Sequence, residues 1–390
     1  MPLRVPNLVV VGGSYVGTNV ARQLAERFHD RFRVLLIEKN SHFHHLFAFP
    51  RFAVTNEART EKAFIPYMPG TFATAPAGAG TVLQAKVLDI DSSSVRLDRF
   101  VSLDGQKLDR IPFDFLILAT GTDAVAPSRM PSADKLGGVA YLRQHASTVA
   151  QRKQIVIIGG GAVGVQMATD LKDLFPQKSV TLVHSREQLM NRFASGLDAI
   201  VKQRCAELGV NLVLGSRVKI PAEGYPTDGS IVNIECLNGT KIPADMVIVA
   251  NGLRPQSEIL RSLSSESINP DGFVSVKRTL QISDSRYPNI FAIGDIAATG
   301  AAKAARPAAK QAELVVENVD RILKNKSLED YDGSDPHGIH LTLGIKKNVV
   351  FRNPAAGSAE ASTVDRDDGA LDMNIDGVWT RKGGGGDANL

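Results

Sequence analysis

The chain has 390 residues, of which 43% are hydrophobic and 22% charged, with 45 basic and 41 acidic side chains for a net charge of +4. That length accommodates two or three globular domains. No long block of like charge occurs, which disfavours a nucleic-acid partner, and no apolar run approaches the length of a bilayer span. Two cysteines, Cys205 and Cys236, form no C-x-x-C pair, which excludes a disulfide scaffold and fits a reducing compartment. The N-terminus runs almost directly into an apolar strand, where a signal peptide would need a longer apolar region and a cleavage site. Pro2 stands where myristoylation needs glycine. The expectation is a cytoplasmic protein, with peripheral membrane contact or organelle association left open.

In chain order, Leu8 to Val11 is a β-branched apolar run, broken by Gly12 and Gly13. Residues 16–28 have helical apolar spacing, and Arg33 to Ile37 forms a second strand closed by Glu38. The pattern predicts a βαβ unit with a parallel sheet. Strands are expected near 82–90 and 113–119, followed by a polar crossing between domains near 122–138. The βαβ pattern then returns: Ile155 to Ile158, three glycines, a helix to about Phe175, and the strand Val180 to Val183 closed by His184. This is domain duplication. Strands near 211–214, 231–236, 246–250 and 289–293 follow, then a helix over about 308–324. The fold class is α/β, with two Rossmann-like dinucleotide-binding domains and a smaller C-terminal segment. The predicted division is 1–123 with 281–330, then 124–280, then 331–390, ending in a flexible tail around Gly383 to Asp387.

Gly159, Gly161 and Gly164 complete a G-x-G-x-x-G between strand and helix. The first glycine makes the tight turn. The second lets a pyrophosphate approach the backbone, and the third lets helix and strand pack closely. The helix N-terminus then offers free N–H groups to phosphate. The first copy reads Gly12, Gly13, Ser14, then Gly17, with Ser14 in place of the middle glycine. Glu38 lies about 20 residues further on, where an acid binds ribose hydroxyls. At the equivalent position of the second copy stands His184, followed by Ser185 and Arg186. No acid is there to repel a 2′-phosphate, and Arg186 with Ser185 favours NADPH while NADH stays open. Ala119-Thr120-Gly121 and Ala250-Asn251-Gly252 end two further strands, and Gly294-Asp295 ends another.

This order of fingerprint, acid, A-T-G, second fingerprint, A-x-G and G-D resembles the pyridine nucleotide–disulfide oxidoreductase superfamily. Phe43-His44-His45-Leu46, residues 155–168 and residues 180–185 resemble its apoptosis-inducing-factor-like group, which includes quinone reductases of the ferroptosis-suppressor type. The resemblance implies FAD in the first domain, with Asp295 on the ribityl chain, and NADPH or NADH in the second. A hydride would pass from NAD(P)H to flavin, and electrons on to a small-molecule acceptor, for which a quinone is the reading. It also implies that the segment holding His44 and His45 runs beside the isoalloxazine. The helix carrying Lys310 would point its N-terminus at the flavin's pyrimidine edge.

There are departures. No C-x-x-x-x-C pair follows Glu38, so the redox disulfide is absent and electrons must leave the flavin directly. Gln166 replaces a glutamate common in relatives and cannot accept a proton at ordinary pH. Candidate catalytic residues are therefore Lys310, His44, His45 and Gln166, and no metal site is predicted. Two other readings are a flavin-dependent monooxygenase, whose usual histidine-containing signature is not evident, and a redox-sensing interaction protein responding to NADH. Nothing in the sequence fixes an oligomeric state.

Overall fold

The two apolar runs that open the fingerprints each become an inner strand of a parallel sheet. In the computed structural model, which describes residues 5–123, 127 and 129–388, the first sheet runs Ile290–Ala292, Phe115–Leu118, Asn7–Val11, Arg33–Glu38, Gly80–Gln84. The second runs Asn211–Val213, Ser179–Val183, Gln154–Ile158, Met246–Val249. Every neighbouring pair in both is parallel. All five residues of Asn7–Val11 are buried, because both faces of such a sheet are covered. The architecture is the predicted α/β one, built on two Rossmann-like units.

Register fixes where ligands can bind. Val11 lies opposite Ile37 and Leu118, and Ile158 lies opposite Val183 and Val249. Each glycine loop, strand-end residue and A-x-G turn therefore leaves its sheet together, at the carboxyl ends of the strands. That is where open α/β sheets take ligands.

Elsewhere the fold departs from the sequence reading. The strand expected at 82–90 is two strands, and a hairpin follows it. Val87–Ile90, Ser94–Leu103 and Gln106–Pro112 form an antiparallel sheet that covers one face of the first parallel sheet. Its charged exposed face hid it, although the turn carried a signal: Asp104 and Gly105 both have positive φ, 52° and 75°, as a type I′ hairpin requires. The helix Lys135–Gln151 stands partly in the stretch taken for a polar crossing. It is capped by Asp134, whose side chain accepts from the Gly137 N–H at 2.8 Å. The expected boundary at 123/124 lies partly outside the described residues. Within them, Thr122–Asp123 pairs antiparallel with Arg254–Pro255, so the two connections run side by side.

The C-terminal segment forms an antiparallel sheet, Gly338–Thr342, Asn348–Arg352 and Ser362–Arg366, then the helix Ile375–Arg381. The glycine run after it is not the expected free tail. Trp379 and Ala388 are buried in the core of the first sheet. A Cβ on Gly383 would sit 2.4 Å from the Gly70 Cα and one on Gly384 2.4 Å from the Trp379 ring, so these two glycines serve close packing, while Gly385 and Gly386 are exposed.

Arg51, on the short helix Phe49–Phe52, is fully buried. Its Nε and Nη2 donate to the two carboxylate oxygens of Asp170 at 2.6 and 2.9 Å. Nη2 also donates to the Gly344 carbonyl at 2.9 Å, and Nη1 to the Ala370 carbonyl at 3.1 Å. Asp170 is itself fully buried on Ala162–Leu174, the second-fingerprint helix. One guanidinium thus ties together the segment after the first βαβ unit, that helix and the C-terminal segment. Removing one partner of a buried pair leaves an uncompensated charge, at a cost of about 3–5 kcal/mol. Asp170→Ala should therefore lose about that much unfolding free energy in urea titrations. An Arg51→Met, Asp170→Leu double variant should recover most of it. A double variant no more stable than Asp170→Ala would show that charge burial is not the controlling effect.

Candidate functional site

The first glycine loop is closed by sterics. Gly12 has φ +103°, and a Cβ on Gly17 would lie 1.7 Å from the Gly12 carbonyl oxygen. Gly13 donates its N–H to Glu38 Oε2 at 2.5 Å, and Asn40 donates to Oε1 at 2.9 Å. The Tyr67 hydroxyl donates to the Gly13 carbonyl at 2.9 Å. Burial pushes the Glu38 carboxyl up, and the Asn40 and Gly13 N–H groups counter it. Glu38 thus stands against the loop on which the first fingerprint turns.

The second loop repeats this arrangement with a different acceptor. Gly159 has φ +124°, and a Cβ on Gly164 would lie 1.9 Å from the Gly159 oxygen. The Gly160 N–H meets Nδ1 of His184 at 3.1 Å. Burial, then the nearby Arg186, lowers the His184 pKa. With Nδ1 accepting, the assigned tautomer carries its proton on Nε2, which is buried without a hydrogen-bond partner. Ser185 and Arg186 are exposed, and Arg186 has no ion pair among the described residues.

The cradles suit dinucleotides. A Cβ on Gly161 would meet nothing within 4 Å, so that turn has open space beside it. The helices Tyr15–Phe28, Ala162–Leu174 and Ala305–Leu323 all begin without a side-chain cap. Their first N–H groups remain available to phosphate or to an electron-rich ring. Ser14 is the N-cap of the first of these, and its side chain makes no capping bond. At the G-D turn, a Cβ on Gly294 would come 2.7 Å from Val16 Cγ1, so Gly294 packs directly on the first-fingerprint helix. Its N–H donates to Gln311 Oε1 at 2.7 Å. The Asp295 carboxylate receives no hydrogen bond among the described residues. Burial pushes its pKa up, against the pull of Lys303 and Arg192. Ala119 is buried, and its N–H is donated to the Val11 carbonyl at 2.8 Å. Thr120 Oγ1 donates to the Gln256 carbonyl at 2.8 Å, and the Gln256 N–H to the Gly121 carbonyl at 3.0 Å. Gly252, at φ +85°, faces open space.

The candidate catalytic residues separate. His44 is buried between Phe49 and Phe64, at ring distances of 5.5 and 5.0 Å, with Nε2 unpartnered. His45 Nδ1 pairs with the Tyr15 hydroxyl at 2.9 Å, and Phe47 packs on the Tyr15 ring at 4.9 Å. Burial lowers both histidines to about 4. Phe47 is 55% exposed and Leu46 42%, so an aromatic wall faces solvent beside the first helix. Gln166 is buried, and its Nε2 reaches Met373 Sδ at 3.7 Å. Lys310 is exposed and ion-paired with Asp335 at 2.5 Å. The structure does not bring it to this wall. Both cysteines are buried and free, and burial pushes the Cys205 thiol up to about 12 and raises that of Cys236. Sequence reading missed Tyr15 and Tyr67. Tyr15 had a signal in its place within the fingerprint, whereas Tyr67 reaches Gly13 only through the tertiary fold.

Residues 6–312 match the model of the pyridine nucleotide-disulphide oxidoreductase family. The chain belongs to that family. It is an FAD-dependent NAD(P)H oxidoreductase. It is 33% identical to Fe-regulated protein 8 of Mycosarcoma maydis, over 96% of this chain and 94% of that one. It is 32% identical to ferroptosis suppressor protein 1 of Mus musculus, over 88% and 87%. Among solved structures, the sulfide:quinone oxidoreductase of Aquifex aeolicus superposes with a TM-score of 0.75 at 19% identity, covering 97% of this chain and 92% of that one. No helix among the described residues is long and apolar enough to cross a membrane.

The neutral histidines give a pH dependence of known sign. His44 titrates near 4 in the fold and near 6.5 when unfolded, so the unfolded chain binds more protons between those values. Stability should be full above pH 6.5 and fall as pH drops towards 4, by on the order of 3 kcal/mol for this residue. His44→Phe should flatten that fall in denaturant titrations run from pH 7.5 to 4.5. An unchanged slope would mean that His44 titrates in the fold where it does in the unfolded chain.

Proposed function

We propose that this oxidoreductase prefers NADPH and reduces a quinone directly, with no thiol between flavin and acceptor. The observation that carries the reading is the exposed Phe47 packed at a tilt on the Tyr15 ring at the uncapped first helix, with both thiols buried. An apolar, aromatic wall suits a flat and largely apolar acceptor. The Aquifex neighbour is a sulfide:quinone oxidoreductase by its description. That chemistry belongs to that protein and supports the reading by analogy of fold alone.

In this reading, Gly12, Gly13, Ser14 and Gly17 let the first helix bind the FAD pyrophosphate. Glu38 exchanges the Gly13 N–H for ribose hydroxyls, and Asp295 accepts from the ribityl chain. Ala119, Thr120, Gly121 and Gly252 hold the backbone turns between the two cradles. Gly159, Gly161 and Gly164 seat the nicotinamide dinucleotide. Ser185 and Arg186 take the 2′-phosphate, and Gln166 orients the nicotinamide by hydrogen bonding. When bound, FAD supplies the two-electron centre between NAD(P)H and acceptor, and the protein supplies alignment and exclusion of water. His44 and His45 are neutral at physiological pH and contribute shape and dipole.

Arg186→Ala should raise the KM for NADPH by roughly 10- to 150-fold, the worth of one charge-assisted bond, and leave NADH unchanged. Equal effects on both cofactors would remove the phosphate-reading role. Separately, steady-state assays should show NADPH oxidation coupled to short-chain quinones, retained at a near-parental rate in a Cys205→Ser, Cys236→Ser variant. Reduction of dyes but of no quinone would overturn the acceptor. Loss of quinone reduction in the cysteine variant, with flavin reduction intact, would place a thiol on the path.

A further inference from the structure

A second cleft lies beside the flavin cradle. The first-fingerprint helix presents Tyr15, Thr18, Asn19 and Arg22 along one face, and Arg381 and Lys382 come from the end of the last helix to stand opposite. Phe43 and Thr71 also line the space, which measures about 360 Å³. That falls within the range of small-molecule sites, about 300–1,000 Å³. None of residues 12–14, Glu38, 119–121 or 294–295 borders it, and of the aromatic wall it shares only Tyr15. It is therefore not the dinucleotide trough.

Its charge is one-sided. Three cations line it and no carboxylate does. Arg22 is held by Glu26 at 2.7 and 2.9 Å and by Asn19 at 3.1 Å. Arg381 and Lys382 have no carboxylate partner among the described residues. Lys382 Nζ instead lies 4.1 Å from the centre of the Phe43 ring and 3.5 Å from Thr18 Oγ1. Burial, then Arg22, pushes its ammonium down to about 8. An incoming anion would reverse that cost.

The arrangement is set before any ligand arrives. A Cβ on Gly70 would lie 1.8 Å from the Lys382 carbonyl oxygen, so the two backbones touch there. Trp379 is buried three residues earlier, with Lys135 Nζ 5.0 Å from its ring centre. This packing fixes the strap that carries Lys382, and less ordering remains to be done on binding.

We propose that this cleft binds a phosphate monoester bearing an apolar or aromatic body, through Lys382, Arg381 and Arg22. A dianion with three acceptor oxygens matches three cations and the Thr71 hydroxyl better than a carboxylate does, while the Thr18 hydroxyl, donated to the Ser14 carbonyl at 2.9 Å, accepts from Lys382 and steadies it. Phe43 and Tyr15 face the organic part.

The test is calorimetry on the FAD-loaded protein with phenyl phosphate as probe, beside benzoate, with flavin absorbance reporting an intact cradle. Saturable phenyl phosphate binding is expected, weakened tenfold or more by Lys382→Gln, with benzoate much weaker. Thr18→Val, which removes the oxygen that Lys382 Nζ donates to and leaves the Gly70 and Trp379 packing of the strap in place, should weaken it too. Vesicles of phosphatidylcholine with and without phosphatidic acid identify the source. Binding to phosphatidic acid vesicles that Lys382→Gln abolishes makes the natural ligand a lipid headgroup; phenyl phosphate binding without vesicle binding makes it a free monoester. The proposal is overturned by absence of phenyl phosphate binding, by equal affinity for benzoate, or by parental affinity in both Lys382→Gln and Thr18→Val. It also falls if Arg186→Ala abolishes binding and Lys382→Gln does not, since the probe would then sit on the second fingerprint.

Discussion

The buried guanidinium of Arg51 sets the relation between the two halves of the site. The residue sits just beyond His44, His45 and Phe47, while its carboxylate partner sits one helical turn after Gln166. In the proposed function hydride transfer demands reacting atoms about 3–3.5 Å apart, so the aromatic wall and the second-fingerprint helix would have to keep their relative position. A fork of donors engaged on Asp170 and two carbonyls constrains both translation and rotation in a way that apolar packing alone does not. The energetic benefit is modest, because burying charge is costly; the benefit in position is what the site uses.

Around that tie, the duplicated units solve the same local problem with different chemistry. In each, the loop's second glycine gives its N–H to the residue that closes the next strand. Glu38 brings a carboxyl group to that place, whereas His184 brings an imidazole next to Arg186, which has no ion pair among the described residues. An acid discriminates against extra phosphate and an arginine recruits it. In the proposed function, one repeated geometry would present different chemistry to its two dinucleotides.

Much of this was legible in the sequence. The glycine spacings predicted the loops because sterics leave no alternative: a methyl group at Gly17 or Gly164 has nowhere to go. The apolar strands were readable because parallel strands are buried on both faces. The hairpin over 94–112 was hidden by charged outward positions, and the helix Lys135–Gln151 by a polar approach and a weakly amphipathic pattern. Arg51 was not readable at all. An arginine after a proline looks like a surface residue until Asp170 and two distant carbonyls are brought to it. The ion pair of Lys310 was hidden for a similar reason, since Asp335 lies in the distant connection to the C-terminal sheet. The enclosure of His44 was not readable either, because the phenylalanines around it, Phe49 and Phe64, come from different elements.

The contact between Thr18 and Lys382 joins positions 364 apart in the chain. During synthesis the first helix therefore leaves the ribosome long before the strap that packs beside it. The parallel sheet faces a similar delay, because its edge strand Ile290–Ala292 arrives well after Asn7–Val11. Until then, the apolar face that receives Trp379 is open to solvent and to other chains. Folds dominated by such distant pairings form slowly and expose sticky intermediates. The nascent protein should therefore lean on chaperones, and the flavin, by gripping the early helix, is well placed to shorten that exposure.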